Sequence, residues 1–401
     1  MGVAKNEERK TGHKKKIYFR EHLQIIFAVT LIAVMGVASV TPAFPKIKEA
    51  LGINNQQIGY LITVFTLPGI FLNPVLGVLA DRFGRKTILV PSLFLFAIAG
   101  VACGFTRDFE LLLVFRFFQG AGAASLGSMN VTLIGDFFEG RERAEAMGAN
   151  ASVLSIGTAS YPAIGGALAM LGWYYPFFFP VLAIPVGIWV LVSLNNPEAS
   201  SGQSLIKYLK GFGKYLSDRN VISLFLISIF TFIILYGSYL TYLPLILSDK
   251  LGAEAWEIGL IISMGSVATA ITSPQLGKLS SRFNFKLLLV FANGLYILSM
   301  VMIPFIGAKW LMMLATITFG VAMGINIPGI QTLLAGSVPM QYRAAFMSVN
   351  GSVLRLGQTL GPVLTGLAYA FGGMQAAFFA GAASAIIVIL LLIFLAGKLT
   401  G

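Results

Sequence analysis

The chain is built from uninterrupted apolar runs about as long as a hydrocarbon bilayer is thick. The stretch 22–44 carries no Asp, Glu, Lys or Arg, and comparable runs recur to the C-terminus. About 20 such residues in a helix cross a membrane, and only helices or closed barrels satisfy their backbone there. A barrel would show ten-residue segments of alternating polarity, which are absent, so helices are expected to span the membrane. Composition agrees: of 401 residues 57% are hydrophobic and only 11% charged, against roughly 25% charged in soluble proteins.

Breaks at Pro, Gly and charge clusters predict twelve spans, approximately 22–44, 58–80, 87–105, 110–136, 144–170, 173–194, 220–247, 257–278, 286–306, 310–336, 343–370 and 374–397. The first run is too long for a signal-peptide core and no small-residue cleavage site follows it, so it is read as a retained span. The expected organisation is a basic tail (1–21), a six-helix bundle (22–194), a polar linker (195–219), a second six-helix bundle (220–397) and a short C-terminus (398–401). The predicted fold class is an all-α membrane protein of two pseudo-symmetric bundles.

The net charge of +12 matters less than its distribution. With the N-terminus in the cytoplasm, only Lys46, Lys48, Arg107, Lys250 and Lys309 fall in external loops, and Arg116 and Arg355 lie inside spans. All other Lys and Arg are on the cytoplasmic side, the arrangement expected of a multi-pass plasma-membrane or inner-membrane protein with both termini inside. The excess positive charge is therefore a topology signal, and no soluble domain is long enough to present it to nucleic acid. One cysteine, Cys103, and two histidines, His13 and His22, support neither a disulfide framework nor a metal centre.

An internal repeat at an offset of 200 residues relates the halves. Pro74, Gly77, Leu79, Arg82, Phe83 and Lys86 recur as Pro274, Gly277, Leu279, Arg282, Phe283 and Lys286. Farther on, Arg143, Met147, Asn150, Gly157, Pro162 and Gly166 recur as Arg343, Met347, Asn350, Gly357, Pro362 and Gly366. Six spans per half make the repeats parallel, related by an axis along the membrane normal. Two such bundles enclose a central cavity that can open to either side, which is a transporter's geometry.

The loop Gly77-Val78-Leu79-Ala80-Asp81-Arg82-Phe83-Gly84-Arg85-Lys86 resembles the signature loop of the major facilitator superfamily, and the likeness extends over essentially the whole chain. It implies a conformational latch formed by Gly77, Asp81, Arg82, Gly84, Arg85 and Asp136. Asp81 is expected at the N-terminus of span eleven near Tyr342 and Arg343, and Arg85 is expected to pair with Asp136. Ordinary topology-setting charges are the alternative. The second half has Ser281 and Asn284 at the matching positions, so the latch should be asymmetric.

The segment Arg116-Phe117-Phe118-Gln119-Gly120-Ala121-Gly122 resembles the span-four motif of the family's antiporters. That implies proton coupling through Arg116 and Gln119; the alternative is an arginine that snorkels outward or caps backbone carbonyls. Gly157 and Pro162, with the closer motif match at Gly357 and Pro362, are the expected hinges. Tyr161 stands where the family's motif has glycine, which weakens the inference of direction.

Arg355 lies twelve residues past Arg343, roughly 18 Å into its span, and no acidic residue lies at that depth. Either it faces the cavity and attracts an anionic group, or neutral partners such as Asn350, Gln358 or Asn326 satisfy it. These residues, with Tyr236 and Tyr239, are the expected substrate contacts, although an interfacial aromatic belt also explains the tyrosines. Without a mid-membrane carboxylate, proton coupling would use Asp81, Asp108, Glu110 or Asp136.

The resemblance to twelve-span drug/proton antiporters implies a monomeric efflux transporter of small amphipathic molecules. It implies proton antiport, alternating access and a role in drug resistance. A transporter of an organic anion, such as a metal-chelating metabolite, a conjugate or a lipid head group, is the alternative. A membrane sensor on a carrier fold is a further one. No phosphate-binding loop, zinc motif or nucleophile elbow occurs, so neither cofactor, metal nor enzymatic chemistry is expected.

Overall fold

The computed structural model describes residues 17–194, 218–337 and 343–394. The expected tail and C-terminus therefore lie almost wholly, and the linker largely, outside the described residues.

The first bundle contains α1 (Glu21–Leu51), α2 (Asn55–Phe83), α3 (Arg85–Phe105), α4 (Phe109–Phe137), α5 (Gly140–Leu171) and α6 (Tyr175–Ser193). The second contains α7 (Arg219–Leu251), α8 (Ala255–Ser280), α9 (Phe285–Phe305), α10 (Lys309–Gly336) and a final run, Arg343–Phe394. That run leaves helical geometry at Gly372 (φ −142°) and Gly373 (φ 65°), which divides it into α11 and α12. Only glycine enters the left-handed region without cost, so the hairpin between the last two spans depends on Gly373. The chain is thus a multi-pass membrane protein. Its outward apolar surface, including Phe71, Ile98, Phe105, Val192 and Phe371, is where lipid would lie.

Several helices run past the expected boundaries, because a helix does not end where the hydrocarbon ends. α1 continues beyond 44 to Leu51 through a 3₁₀ turn at Thr41–Ala43, where Pro42 interrupts the bonding ladder. α1 begins and α12 ends on one face, called here the terminal face; the opposite one is the far face.

At the far face the two halves repeat one device. Gly52 (φ 63°) and Gly252 (φ 60°) end α1 and α7 in left-handed geometry. Asn54 with Gln57 and Glu254 with Glu257 then form capping boxes that start α2 and α8. The 200-residue register therefore extends to the far-face turns.

The halves meet along α2 against α11 and α5 against α8. Pseudo-symmetric glycines allow the approach: a Cβ on Gly59 would stand 3.0 Å from Pro362 Cβ, and one on Gly259 2.2 Å from the Pro162 carbonyl oxygen. Polar contacts between halves start at the far face, where Lys48 Nζ pairs with Asp249 at 2.8 Å. Asn55 Nδ2 donates to Tyr369 Oη at 2.9 Å and Gln56 Nε2 to the Gly366 carbonyl at 2.8 Å. Deeper, Thr66 Oγ1 and Thr359 Oγ1 bond at 2.8 Å. These contacts seal the far half of the interface. Nearer the terminal face, Pro328, Gln331, Thr332, Ala335 and Gly336, all on α10, border an open depression of about 490 Å³.

Candidate functional site

Two arginines stand inside the spans, and their surroundings differ. Arg116 is fully buried in α4. Its Nη1 donates to the Gly36 carbonyl at 2.9 Å and to Gln119 Oε1 at 2.8 Å, and its Nε to the Leu61 carbonyl at 3.2 Å. The guanidinium lies 4.4 Å from the Phe65 ring centre and 5.8 Å from that of Phe177. Of the two alternatives to a motif role, outward snorkelling is excluded by this burial, and capping of backbone carbonyls is part of what the residue does.

The motif's small residues make this placement possible. A Cβ on Gly120 would lie 1.9 Å from the Phe65 carbonyl oxygen, so α4 rests directly on α2 and brings the Phe65 ring over Arg116. Gly122 lets α4 meet α3 at Phe96, and Gly100 leaves room for the Gln119 amide. A charge at mid-membrane costs about 3 kcal/mol on insertion scales. Three charge-assisted hydrogen bonds at ~1.5–3 kcal/mol each, with about 2 kcal/mol from a desolvated cation–π contact, offset that cost without a carboxylate. Arg116 Nη2 and Gln119 Nε2 remain buried without partners.

Arg355 is half-buried on α11, and its stem packs against Gly69 of α2, where a Cβ would stand 3.0 Å away. Its Nη1 donates to Gln358 Oε1 at 3.0 Å, and Tyr236 of α7 is a neighbour of its head. Gln358 is thus one of the neutral partners expected. Asn326 is not: its Nδ2 donates to Thr231 Oγ1 at 2.9 Å and its Oδ1 accepts from Asn293 at 3.3 Å, wholly inside the second bundle. Asn350 is buried with its Oδ1 unpartnered. Its repeat counterpart Asn150 accepts from Thr30 at 2.6 Å, whereas the second half has Phe230 where that threonine would be.

The tyrosines separate. Tyr236 is half-buried and stacks on Phe232 at 5.9 Å, beside Arg355. Tyr239 is 3% exposed and stacks on Phe319 at 3.9 Å, so it is a core residue of the second bundle and does not border the cavity. Both belong to a π-helical stretch, Ile234–Tyr242, which widens the turn and changes which side chains share a face.

In the signature loop, Arg85 Nε donates to Asp136 Oδ2 at 3.0 Å, joining the start of α3 to the end of α4. Gly84 turns the chain at φ 93°, a conformation open to glycine. The repeat counterpart Asn284 instead caps α9 by accepting from the Leu287 amide at 2.7 Å. Gly77 lies in the last turns of α2, and Arg82 is exposed over the Phe83 ring at 5.4 Å. The side chains of Asp81 and Arg343 and all of Tyr342 lie outside the described residues. Among the expected hinges, Gly157 of α5 packs on Leu31 and Val34 of α1, and Gly357 of α11 on the Ile229 carbonyl of α7. Pro162 and Pro362 stand at the contacts between halves already described. Sequence reasoning missed Gly59, Gly259, Lys48, Asp249, Thr66 and Thr359; of these only the glycine pair was visible, as a further match in the 200-residue register.

Comparisons with known proteins agree with this architecture. The chain is 26% identical to multidrug resistance protein 1 of Bacillus subtilis (strain 168) over 350 residues, covering 86% of this chain and 89% of that protein. It is 24% identical to the bacillibactin exporter of the same organism, covering 84% and 86%. The crystal structure of a bacterial homologue of the human lysosomal transporter Spinster, inward-facing and occupied, superposes with a TM-score of 0.74 at 20% identity, covering 95% of this chain and 96% of that one. The family model described as Major Facilitator Superfamily matches residues 26–307 and 246–399. The chain is therefore a membrane transporter of small molecules, without enzymatic chemistry, and belongs to the Major Facilitator Superfamily.

Proposed function

We propose that the protein exports small amphipathic molecules, drugs among them, by alternating access coupled to proton antiport. The observation that carries the reading is the uneven seam between the halves. Polar and backbone contacts join them from the far face to the level of Thr66 and Thr359, whereas none of the polar contacts between the halves among the described residues lies nearer the terminal face. Such one-sided pairing supports a reading in which two bundles rock against each other and part at alternate faces. The names of the relatives, multidrug resistance protein 1 and bacillibactin exporter, support export as the direction.

The distribution of Lys and Arg supports a cytoplasmic terminal face, so the far-face contacts would belong to the inward-facing state. Lipophilic substrate enters from the cytoplasmic side, and the bundles rock about the Gly59–Pro362 and Gly259–Pro162 contacts. In the outward-open state the loop from Gly77 to Lys86 latches the terminal ends, with Asp81, Arg85 and Asp136 as its charges. Arg116 stays charged and binds α4 to α1 and α2, so a carboxylate near a helix end carries the proton. Asp81, Asp108, Glu110 and Asp136, in the bundle that carries the signature loop and Arg116, are the candidates. The protein works as a monomer.

The test is transport by purified protein in liposomes across a panel of lipophilic dyes and drugs, with and without an imposed pH gradient. Gradient-driven movement against concentration is expected. Absence of saturable transport of every compound in both conditions overturns the reading; transport indifferent to the gradient overturns its proton-coupled part.

A further inference from the structure

The two arginines define a contrast that the transport cycle proposed above does not use. Arg116 is enclosed by three hydrogen bonds and two aromatic rings. Arg355, near the middle of α11, donates one hydrogen bond, to Gln358. Among the described residues no ring face covers it and no carboxylate lies within ion-pair distance. A charge left in that condition is costly unless it faces water or a counter-ion.

Its neighbours supply donors and apolar surface but no anionic acceptor. Gln358 turns its Oε1 to the guanidinium and keeps its amide N–H groups free. Tyr236 brings a hydroxyl, and its ring stacks with Phe232 at 5.9 Å and an interplanar angle of 18° to form a flat wall. The π-helical stretch that starts at Ile234 holds Tyr236 there, and Thr241 Oγ1 donates to the Tyr236 carbonyl at 2.7 Å, satisfying backbone that the widened turn frees. On α2, Gly69 leaves space for the arginine stem, and nearby Asn73 is 6% exposed with its Oδ1 unpartnered.

We infer that the junction of α2, α7 and α11 is an anion subsite, in which Arg355, assisted by Gln358 and Tyr236, receives a carboxylate, sulfonate or phosphate group of an amphipathic substrate. The planar guanidinium fork matches such groups in a bidentate fashion, and the Tyr236–Phe232 wall takes the flat apolar remainder. The assignment rests on the reading of the central cavity as the substrate path and narrows it to one charge class.

The experiment uses three dansyl probes of similar size: dansyl-glycine (anionic), its methyl amide (neutral) and dansyl-ethylenediamine (cationic). Binding is read by fluorescence titration of the purified full chain in detergent, and transport by uptake into liposomes. The wild-type protein should bind dansyl-glycine more tightly than the amide. Arg355→Gln should weaken anion binding about tenfold or more, the equivalent of one lost charge-assisted bond. Binding of the amide should be unchanged, and Arg355→Lys should restore part of the loss. Gly69→Val, which presses on the arginine stem, should give the same selective loss, so the outcome does not depend on one variant folding.

Equal anion binding by wild type and Arg355→Gln, or no preference of the wild type for the anion, overturns the subsite. If the subsite fails while amide or amine is still exported, the export reading stands. If anion binding depends on Arg355 but no probe is transported, the subsite stands and the export reading fails.

Discussion

Lys48 Nζ lies 2.8 Å from both carboxylate oxygens of Asp249, tying the far end of α1 to the far end of α7. In the 200-residue register Lys48 corresponds to Ser248, the neighbour of Asp249, so the two helices meet close to the pseudo-symmetry axis. This is where the halves must part if the far side opens. Because the side chains are 23% and 38% exposed, the pair is worth at most about 1 kcal/mol. Lys48→Gln should shift the population toward far-side opening by roughly fivefold or less. Spin labels on Ala50 and Ser248 would read the shift as a longer distance component, and the swap Lys48→Asp with Asp249→Lys should reverse it. A distance distribution identical in wild type and Lys48→Gln removes any gating role for the pair.

Arg116→Lys separates charge from geometry. The ammonium keeps the charge but cannot reach the Gly36 and Leu61 carbonyls and Gln119 together from one planar fork. Each buried acceptor left unpaired costs about 1–3 kcal/mol. The expected result is a lower melting temperature and loss of transport, despite the conserved charge. Wild-type transport by Arg116→Lys would show that the guanidinium network is dispensable.

Gly120→Ala should resemble the loss of Arg116 although no charge is touched. The added methyl meets the Phe65 carbonyl oxygen, which is backbone in the middle of α2 and has nowhere to retreat. α4 must move off α2, carrying Arg116 away from the Leu61 carbonyl and the Phe65 ring. Gly127→Ala is the control, since a Cβ there meets nothing within 4 Å. Equal thermal stability and transport in the two variants would contradict this account of α4 packing.

What could be read from the amino-acid order alone follows from the kind of physics involved. The spans were legible because membrane insertion acts on whole apolar segments, and the two-bundle plan because Gly157 and Pro162 recur as Gly357 and Pro362. The placement of Arg116 and Arg355 inside spans was legible, since a charge within an apolar run is conspicuous. Their difference was not: it depends on backbone carbonyls of Gly36 and Leu61, which leave no mark in side-chain identity. Tyr236 and Tyr239, three residues apart, would share a face of an ordinary helix, but the π-helical turn sends one to Arg355 and the other to Phe319. The ion pair of Lys48 with Asp249 joins two residues whose spacing carries no periodic signal.

Pseudo-symmetry sets an expected order between two equivalent variants. Gly59 and Gly259 occupy equivalent positions and face the equivalent prolines Pro362 and Pro162, yet the contacts are unequal. A methyl on Gly59 would stand 3.0 Å from a proline Cβ, whereas one on Gly259 would stand 2.2 Å from a backbone carbonyl oxygen. A shift of a few tenths of an ångström relieves the first; the second requires α5 and α8 to separate. Gly259→Ala should therefore destabilise the fold by about 1–3 kcal/mol, the usual cost of overpacking, and Gly59→Ala by clearly less. Transport should follow the same order, because α5 and α8 must slide past each other as the bundles rock. Thermal melts and initial transport rates of the two single variants check this. A Gly59→Ala defect equal to or larger than that of Gly259→Ala would mean that the α2–α11 seam, not α5–α8, is the tighter pivot.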